Sequence, residues 1–144
     1  MKTAALPIMV AKAIAVVIVT ATAVGCAQPA RSYVQQSLVI RDEDGFRQAV
    51  LEHDRPSIVK FSTTQCGPCR ELAPLFESLA EQHEEKVLFA SVDTNKLGKL
   101  ADRYHVWRIP TVIAFRHGKE VGRLTGLHSR GGYEQMIEAL GASK

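Results

Sequence analysis

From about residue 38 onward, apolar positions follow strand and helix periods in turn. Short runs rich in β-branched and aromatic residues alternate with segments in which apolar residues recur every three or four positions. The predicted strands cover residues 37–40, 58–61, 87–92, 112–115 and 120–124. With helices between them, the order β-α-β-α-β-α-β-β-α predicts one α/β domain, a central sheet with helices on both faces. The run 58–61 is mostly apolar and should be a central strand.

Four helices are predicted from caps and apolar faces. Asp42 or Asp44 can cap a short first helix that carries Phe46. Pro74 lies inside the second helix, after Cys66, and should kink it, because proline has no N–H to donate. The apolar face of this helix is Leu72, Leu75, Phe76, Leu79 and Ala80, with Glu71, Glu77 and Glu81 expected on the surface. The last two helical faces are Leu97, Leu100, Ala101 and Tyr104, and then Tyr133, Met136, Ile137 and Leu140.

The first 25 residues have the pattern of an export signal. Lys2 gives a positive start, and residues 13–24 are apolar apart from Thr20 and Thr22. Twelve helical residues span only about 18 Å, whereas a bilayer core is about 30 Å thick. We therefore expect residues 1–25 to be a cleaved signal peptide. The alternative, an uncleaved anchor over residues 4–27, would have to accommodate Pro7 and Lys12.

Two cleavage signals end this segment. Ala21-Thr22-Ala23 matches the small-x-small site of ordinary signal peptidase. Ala23-Val24-Gly25-Cys26 resembles the lipobox of bacterial lipoproteins, in which the cysteine becomes the lipidated first residue. We expect the second, with lipidation at Cys26, residues 26–37 as a polar tether and residues 38–144 as the domain. This predicts a lipoprotein held on a membrane of the bacterial cell envelope, facing the periplasm or the exterior; the alternative is a soluble periplasmic protein.

Composition and charge narrow the chemistry. Two of the 18 basic residues, Lys2 and Lys12, lie in the first 25 residues, and none of the 15 acidic residues does. Residues 26–144 therefore have a net charge of +1. That balance gives no reason to expect nucleic acid as a partner. Three cysteines build neither a disulfide framework nor a zinc site, and Arg70 stands where haem attachment requires histidine after Cys69. No metal or cofactor is predicted, and the single domain suggests a monomer.

Cys66 and Cys69 carry the candidate chemistry. Cys66 comes where a strand passes into a helix, where free N–H groups and the helix dipole favour a thiolate. Pro68 suits the first helical turn, and Cys69 lies one turn further, where it should be less exposed. Cys66 would then attack a disulfide and Cys69 would resolve the mixed disulfide. The alternatives are a structural disulfide or half of a metal site.

Several motifs resemble those of the thioredoxin family, over about residues 38–141. Cys66-Gly67-Pro68-Cys69 is similar to that family's active-site tetrapeptide, and Pro74 to the proline of its kinked helix. The other matching positions are Arg70, Ile109-Pro110-Thr111, Gly118 and Gly126. The resemblance implies a thioredoxin-like fold with a mixed sheet and protein-disulfide oxidoreductase activity. It also implies a cis bond before Pro110, with Ile109, Pro110, Thr111 and Gly126 binding the substrate.

Two departures from the family pattern matter, at Lys60 and at Gln65, and these two residues and Trp107 are candidates for tuning the site. Lys60 stands where thioredoxins usually have a buried aspartate; it cannot be the same base, but as a cation it would favour thiolates. The alternative is that Lys60 extends to the surface. Gln65 replaces a usual tryptophan, as Ser62 replaces a common aromatic residue, which reduces the apolar surface around the dithiol. Trp107 either restores part of that surface or packs into the domain.

The resemblance leaves three functional hypotheses. The first is an extracytoplasmic reductase of protein disulfides, because Gly67-Pro68 and Ile109 resemble reducing thioredoxins. Such a reductase needs a membrane-embedded electron donor, since the periplasm is kept oxidising. The second is an oxidase that introduces disulfides. The third is a non-catalytic module that binds peptides or copper.

Overall fold

The chain folds as an α/β domain, seen in a computed structural model that describes residues 36–142. The predicted signal peptide, Cys26 and most of the predicted tether lie outside these residues. None of the helices between residues 36 and 142 is long and apolar enough to cross a membrane. The elements in chain order are β1 Leu38–Ile40, α1 Glu43–Phe46 with a π-helical continuation Arg47–Leu51, β2 Ser57–Ser62, α2 Gly67–His83, β3 Leu88–Asp93, α3 Gly98–Arg103, β4 Thr111–Arg116, β5 Lys119–Thr125 and α4 Arg130–Ala142.

The five strands form one mixed sheet in the order β1-β3-β2-β4-β5. Strands β1, β3 and β2 are parallel, whereas β4 is antiparallel to both β2 and β5. The predicted central strand is confirmed, because β2 lies between β3 and β4 and is buried from Ser57 to Phe61. Because helices cover both faces of the sheet at this strand, the side chains on both of its faces are buried, which explains its mostly apolar run.

Helices cover both faces of the sheet, as the periodicity predicts. Successive strand residues point to opposite faces, so Val59 and Phe61 enter one core while Ile58 enters the other. The first core contains Phe46 and Leu100 from α1 and α3. The second is formed with α2 and α4; its helical residues are Leu72, Phe76, Leu79, Ala80, Tyr133, Ile137 and Leu140. Since β2 ends between these layers, the short loop that follows it leads into α2 and places Cys66 and Cys69 at the carboxyl end of this central strand.

Local signals behave mostly as expected. Asp42 rather than Asp44 caps α1, because its Oδ1 accepts a hydrogen bond from Gly45 N at 2.7 Å. Helix α2 runs through Pro74, and the β4–β5 hairpin turns at His117-Gly118 with Gly118 at φ +72°. The surface position predicted for Glu77 is wrong: this residue is only 3% exposed. Its carboxylate is satisfied by backbone and side-chain donors that the helical pattern does not reveal.

Candidate active site

The two cysteines meet at the beginning of α2. Cys66 is the N-cap residue in an extended conformation (φ −87°, ψ 120°), and Cys69 lies within the first helical turn. Their Cα atoms are 5.2 Å apart and their sulfur atoms form a disulfide, so the structure shows the oxidised state. Cys69 is 4% exposed, whereas Cys66 is half-buried. Only Cys66 is therefore open to attack by an outside thiol, in the order that the sequence predicts.

The helix terminus supplies the electrostatics of the attacking sulfur. Cys69 N donates a hydrogen bond to Cys66 Sγ at 3.3 Å, and Arg70 N donates to the Cys66 carbonyl oxygen at 3.1 Å. Pro68 occupies the first turn, where its missing N–H leaves no carbonyl unpaired. Because α2 is 17 residues long, its N-terminal partial charge is fully developed at Cys66. After reduction, this arrangement favours the thiolate of Cys66 over its thiol.

The proline loop lies against the dithiol. The peptide bond between Ile109 and Pro110 is cis, as expected, and the Ile109 carbonyl oxygen is 3.9 Å from Cys66 Sγ. Gly126, at φ +87°, donates its N–H to the Pro110 carbonyl oxygen at 2.7 Å. Thr111 is buried and its hydroxyl donates to the Arg108 carbonyl oxygen at 2.6 Å. The fold thus brings Ile109 and Pro110 to Cys66, while Gly126 and Thr111 hold the loop in place.

Gln65 and Trp107 are both on the surface. The Gln65 side-chain oxygen accepts a hydrogen bond from Asn95 Nδ2 at 2.8 Å, which ties the residue before Cys66 to the loop after β3. Trp107 is 73% exposed, and its ring centroid lies 6.0 Å from that of His105. The alternative that Trp107 packs into the domain is therefore wrong. Its contribution to an apolar surface for clients stays a prediction.

Lys60 and Glu77 form a buried ion pair behind the dithiol. Lys60 is 6% exposed, with Nζ 3.5 Å from Glu77 Oε1 and 4.6 Å from the centroid of the Phe76 ring. The alternative that Lys60 extends to the surface is wrong, because its side chain points into the layer beneath α2. Burial lowers the pKa of Lys60, and the attraction of Glu77 opposes that shift.

Glu77 is the functional-site candidate that sequence reasoning missed. Its Oε2 accepts hydrogen bonds from Ser37 N at 2.7 Å and Gln36 N at 2.8 Å, and its Oε1 from the Ser37 hydroxyl at 2.8 Å. One signal could have found it: a lysine within an otherwise apolar central strand requires a buried counter-charge. An acidic residue adjacent to the apolar face of the neighbouring helix was the available partner.

A cavity of about 540 Å³ is lined both by this ion pair and by Cys69. Its wall includes Lys60, Cys69, Arg70, Glu77 and Asp93. Among residues 36–142 there is no grouping of three or more His, Cys, Asp or Glu side chains that could hold a metal ion. The cavity therefore brings Cys69, which is itself buried, to one wall together with charged side chains from β2, α2 and β3.

Comparison with known proteins identifies the family. The model of the thioredoxin family matches residues 37–139. The chain belongs to the thioredoxin family. It is 33% identical to a thioredoxin of Echinococcus granulosus over 102 residues, covering 70% of this chain and 94% of that protein. It is 34% identical to thioredoxin 1 of a Nostoc species over 93 residues, covering 65% and 87% respectively.

The solved structures agree. The crystal structure of the Malassezia sympodialis thioredoxin superimposes with a TM-score of 0.68 at 26% identity, over 74% of this chain and 91% of that one. The predicted thioredoxin-like fold is thereby confirmed. As a thioredoxin, this chain is a thiol–disulfide oxidoreductase, and proteins of this family act on protein disulfides. The non-catalytic binding module is set aside for that reason.

Proposed function

We propose that this thioredoxin works outside the cytoplasm, tethered to a membrane through lipidated Cys26, and that it reduces protein disulfides through Cys66-Gly67-Pro68-Cys69. The observation that supports the chemistry is the pairing of one accessible and one buried sulfur at a helix N-terminus. The observation that supports the location is the signal-like segment that ends in Gly25-Cys26. The two parts are separable and have separate tests.

The proposed reaction has two exchange steps. The Cys66 thiolate attacks one sulfur of the client disulfide, so that a Cys66–client bond forms and the client's second sulfur leaves as a thiolate that takes a proton from water. Cys69 then loses its proton and attacks Cys66 Sγ. The Cys66–Cys69 bond forms, and the remaining client thiolate leaves. Two electrons pass from the dithiol to the client, and the product is the disulfide state seen in the structure.

Backbone near Cys66 supports client binding. The Ile109 carbonyl oxygen lies 3.9 Å from Cys66 Sγ, so an extended client segment that pairs with Ile109 would hold its disulfide at the attacking sulfur. The bond from Gly126 N to Pro110 O keeps this segment at a fixed distance from the dithiol. Exposed Trp107 lies three residues before Pro110 in the chain, and we propose that it adds apolar surface for the client.

A reductase outside the cytoplasm must be reduced again after each turnover. The periplasm is kept oxidising, so the electrons have to come across the membrane from an embedded dithiol donor. A lipid anchor would keep the enzyme on the surface where that donor lies. The tether after Cys26 would set how far the dithiol reaches.

The location is tested by intact-mass spectrometry of the chain purified from membranes of a bacterial host. We expect a mature chain that begins at Cys26 and carries the mass of a diacylglycerol plus an amide-linked acyl chain. A Cys26→Ser variant is the matched control and should lose this mass and its membrane retention. A chain that begins at Val24 with an unmodified Cys26 would contradict the lipoprotein proposal.

The direction of electron flow is tested by the reduction potential of the Cys66–Cys69 pair. Equilibration with dithiothreitol or glutathione buffers should give a value near that of thioredoxin, about −270 mV. One observation favours the second candidate, an oxidase: the buried Lys60 cation lies behind the dithiol, and a cation there stabilises the reduced, thiolate-bearing form. A potential near about −120 mV would establish that direction instead.

A further inference from the structure

We propose that Lys60, held in place by Glu77, is a positioning residue that stabilises the thiolate of Cys69 during the second exchange step. Its ammonium acts across the cavity behind the dithiol. The inference rests on the exchange chemistry that both directions of the proposed function share. It does not depend on the location of the protein or on which way electrons flow.

The need for such a residue follows from the burial of Cys69. At 4% exposure, this sulfur is poorly solvated by bulk water, and burial disfavours the charged form of a thiol. The second step nevertheless requires that charged form, because the thiolate is the nucleophile. The cavity of about 540 Å³ is where its proton can leave to water and where a compensating charge can face the sulfur.

The charged groups that line this cavity come from three elements. Lys60 lies on β2, Arg70 and Glu77 on α2, and Asp93 at the end of β3. Arg70 is exposed and Asp93 is partly exposed, so water screens both charges. Lys60 and Glu77 are buried, at 6% and 3% exposure, and their fields act through a medium of lower polarity. Of the four charges that line the cavity, those of the buried pair are therefore the least screened from Cys69.

Within that pair the cation dominates toward the cavity. The Glu77 carboxylate accepts hydrogen bonds from Gln36 N, Ser37 N and the Ser37 hydroxyl, and the dipoles of these donors offset its negative charge. Lys60 is stabilised as an ammonium by Glu77 Oε1 at 3.5 Å and by the Phe76 ring at 4.6 Å. The carboxylate thus fixes the ammonium without cancelling it.

The direct test is the titration of Cys69 as a single thiol. Full-length chains that carry Cys26→Ser and Cys66→Ser, purified in detergent, are titrated by thiolate absorbance at 240 nm. Adding Lys60→Met should lower the thiolate fraction of Cys69 at neutral pH about tenfold. Adding Lys60→Arg should restore it, because the charge is retained. Arg70→Met is the matched control, a cavity-lining cation whose charge water screens, and it should leave the titration curve in place.

The kinetic counterpart is the resolution of a mixed disulfide between Cys66 and a small aromatic thiol, measured by stopped flow. A tenfold smaller thiolate fraction is partly compensated by the higher nucleophilicity of a more basic thiolate, so Lys60→Met should slow resolution about threefold at neutral pH. The rate of resolution does not depend on the reduction potential of clients. A failed reductase assignment and a failed role for Lys60 are therefore distinguishable.

Circular dichroism first establishes that each variant is folded. If Lys60→Met does not fold, Lys60→Gln replaces it, since its amide can still donate to Glu77 without a charge. A folded neutral variant whose Cys69 titration coincides with that of the parent overturns the proposal. So does a shift of equal size in Arg70→Met, because the effect would then belong to any cation near the dithiol.

Discussion

The sulfur atom of Cys66 lies 3.9 Å from the carbonyl oxygen of Ile109, a residue 43 positions further along the chain. This contact joins the beginning of α2 to the loop before β4. Both segments lie at the same end of the strands, because β2 ends where antiparallel β4 begins. In the proposed reaction, a client held along Ile109 would meet Cys66 first, because Cys69 is covered. The proposed order of attack follows from this geometry.

The two cysteines should trap clients differently. Cys69→Ser leaves the attacking sulfur in place and removes the resolving one, so a client disulfide should remain bound to Cys66 as a stable mixed disulfide. Cys66→Ser should trap almost none, because Cys69 is only 4% exposed. Mass spectrometry after incubation with oxidised insulin measures both. Equal trapping by the two variants would contradict the assigned order.

Trp107 should affect clients rather than stability. Because it is 73% exposed, Trp107→Ala should change the free energy of unfolding by no more than about 0.5 kcal/mol. If the indole contributes about 1 kcal/mol to client binding, the variant should reduce a protein disulfide with a kcat/KM about fivefold lower, mainly because KM rises.

Val121→Ala is the matched control for Trp107. Val121 is also exposed, at 54%, and lies on β5 near the hairpin turn. The other end of β5 is the one beside Pro110, because Thr125 pairs there with Thr111. The control should leave kcat/KM unchanged. An equal loss in both variants would indicate that exposed apolar surface in general, rather than the rim of the dithiol, binds clients.

Gly118 should be intolerant of a side chain. It adopts φ +72°, and a Cβ built there would lie 2.7 Å from the Leu51 carbonyl oxygen, a backbone atom. Gly118→Ala should lower the free energy of unfolding by about 2 kcal/mol or more, from left-handed strain and the clash together. In Gly98→Ala, the added Cβ meets nothing within 4 Å, and stability should rise slightly, by up to about 1 kcal/mol. Urea unfolding followed by circular dichroism compares the two; equal effects would contradict the steric argument.

Stability should fall in alkaline solution because of two tyrosines. Burial raises the pKa of Tyr104 and of Tyr133 above the ordinary value of 10.0. Between that value and the folded-state pKa, the unfolded chain has lost a phenolic proton that the folded chain keeps. The folded state then binds more protons, so the unfolding free energy is fully present below about pH 10 and declines as the pH rises further.

Phenylalanine variants isolate this effect. Tyr104→Phe and Tyr133→Phe each remove one titrating group and should flatten the decline above about pH 10, as measured by urea unfolding across that range. Burial of Lys60 acts in the opposite sense, because a lowered lysine pKa makes stability rise with pH, so the comparison is made between each variant and the parent. An unchanged slope in both variants would contradict the assignment.

Sequence periodicity by itself determined the order of strands and helices, the central place of β2 and the dithiol at the entrance to α2. These features follow from local rules, since alternation, helical spacing and capping are properties of neighbouring residues. The signal-like segment and Cys26 are also sequence features, and their roles stay predictions. Asp42 and Asp44 show the limit of local rules, because both fit the cap position and only the structure selects Asp42.

Only the tertiary structure decided which distant residues meet. The helical pattern predicts Glu77 on the surface of α2, yet it is buried against Ser37, the residue before β1, and against Lys60 of β2. Such contacts depend on the strand order and on how α2 docks, because a buried charge is tolerated only where its partners converge. Helical spacing reports which residues share a face, but the docking of that face determines whether a carboxylate at its border reaches water or a lysine.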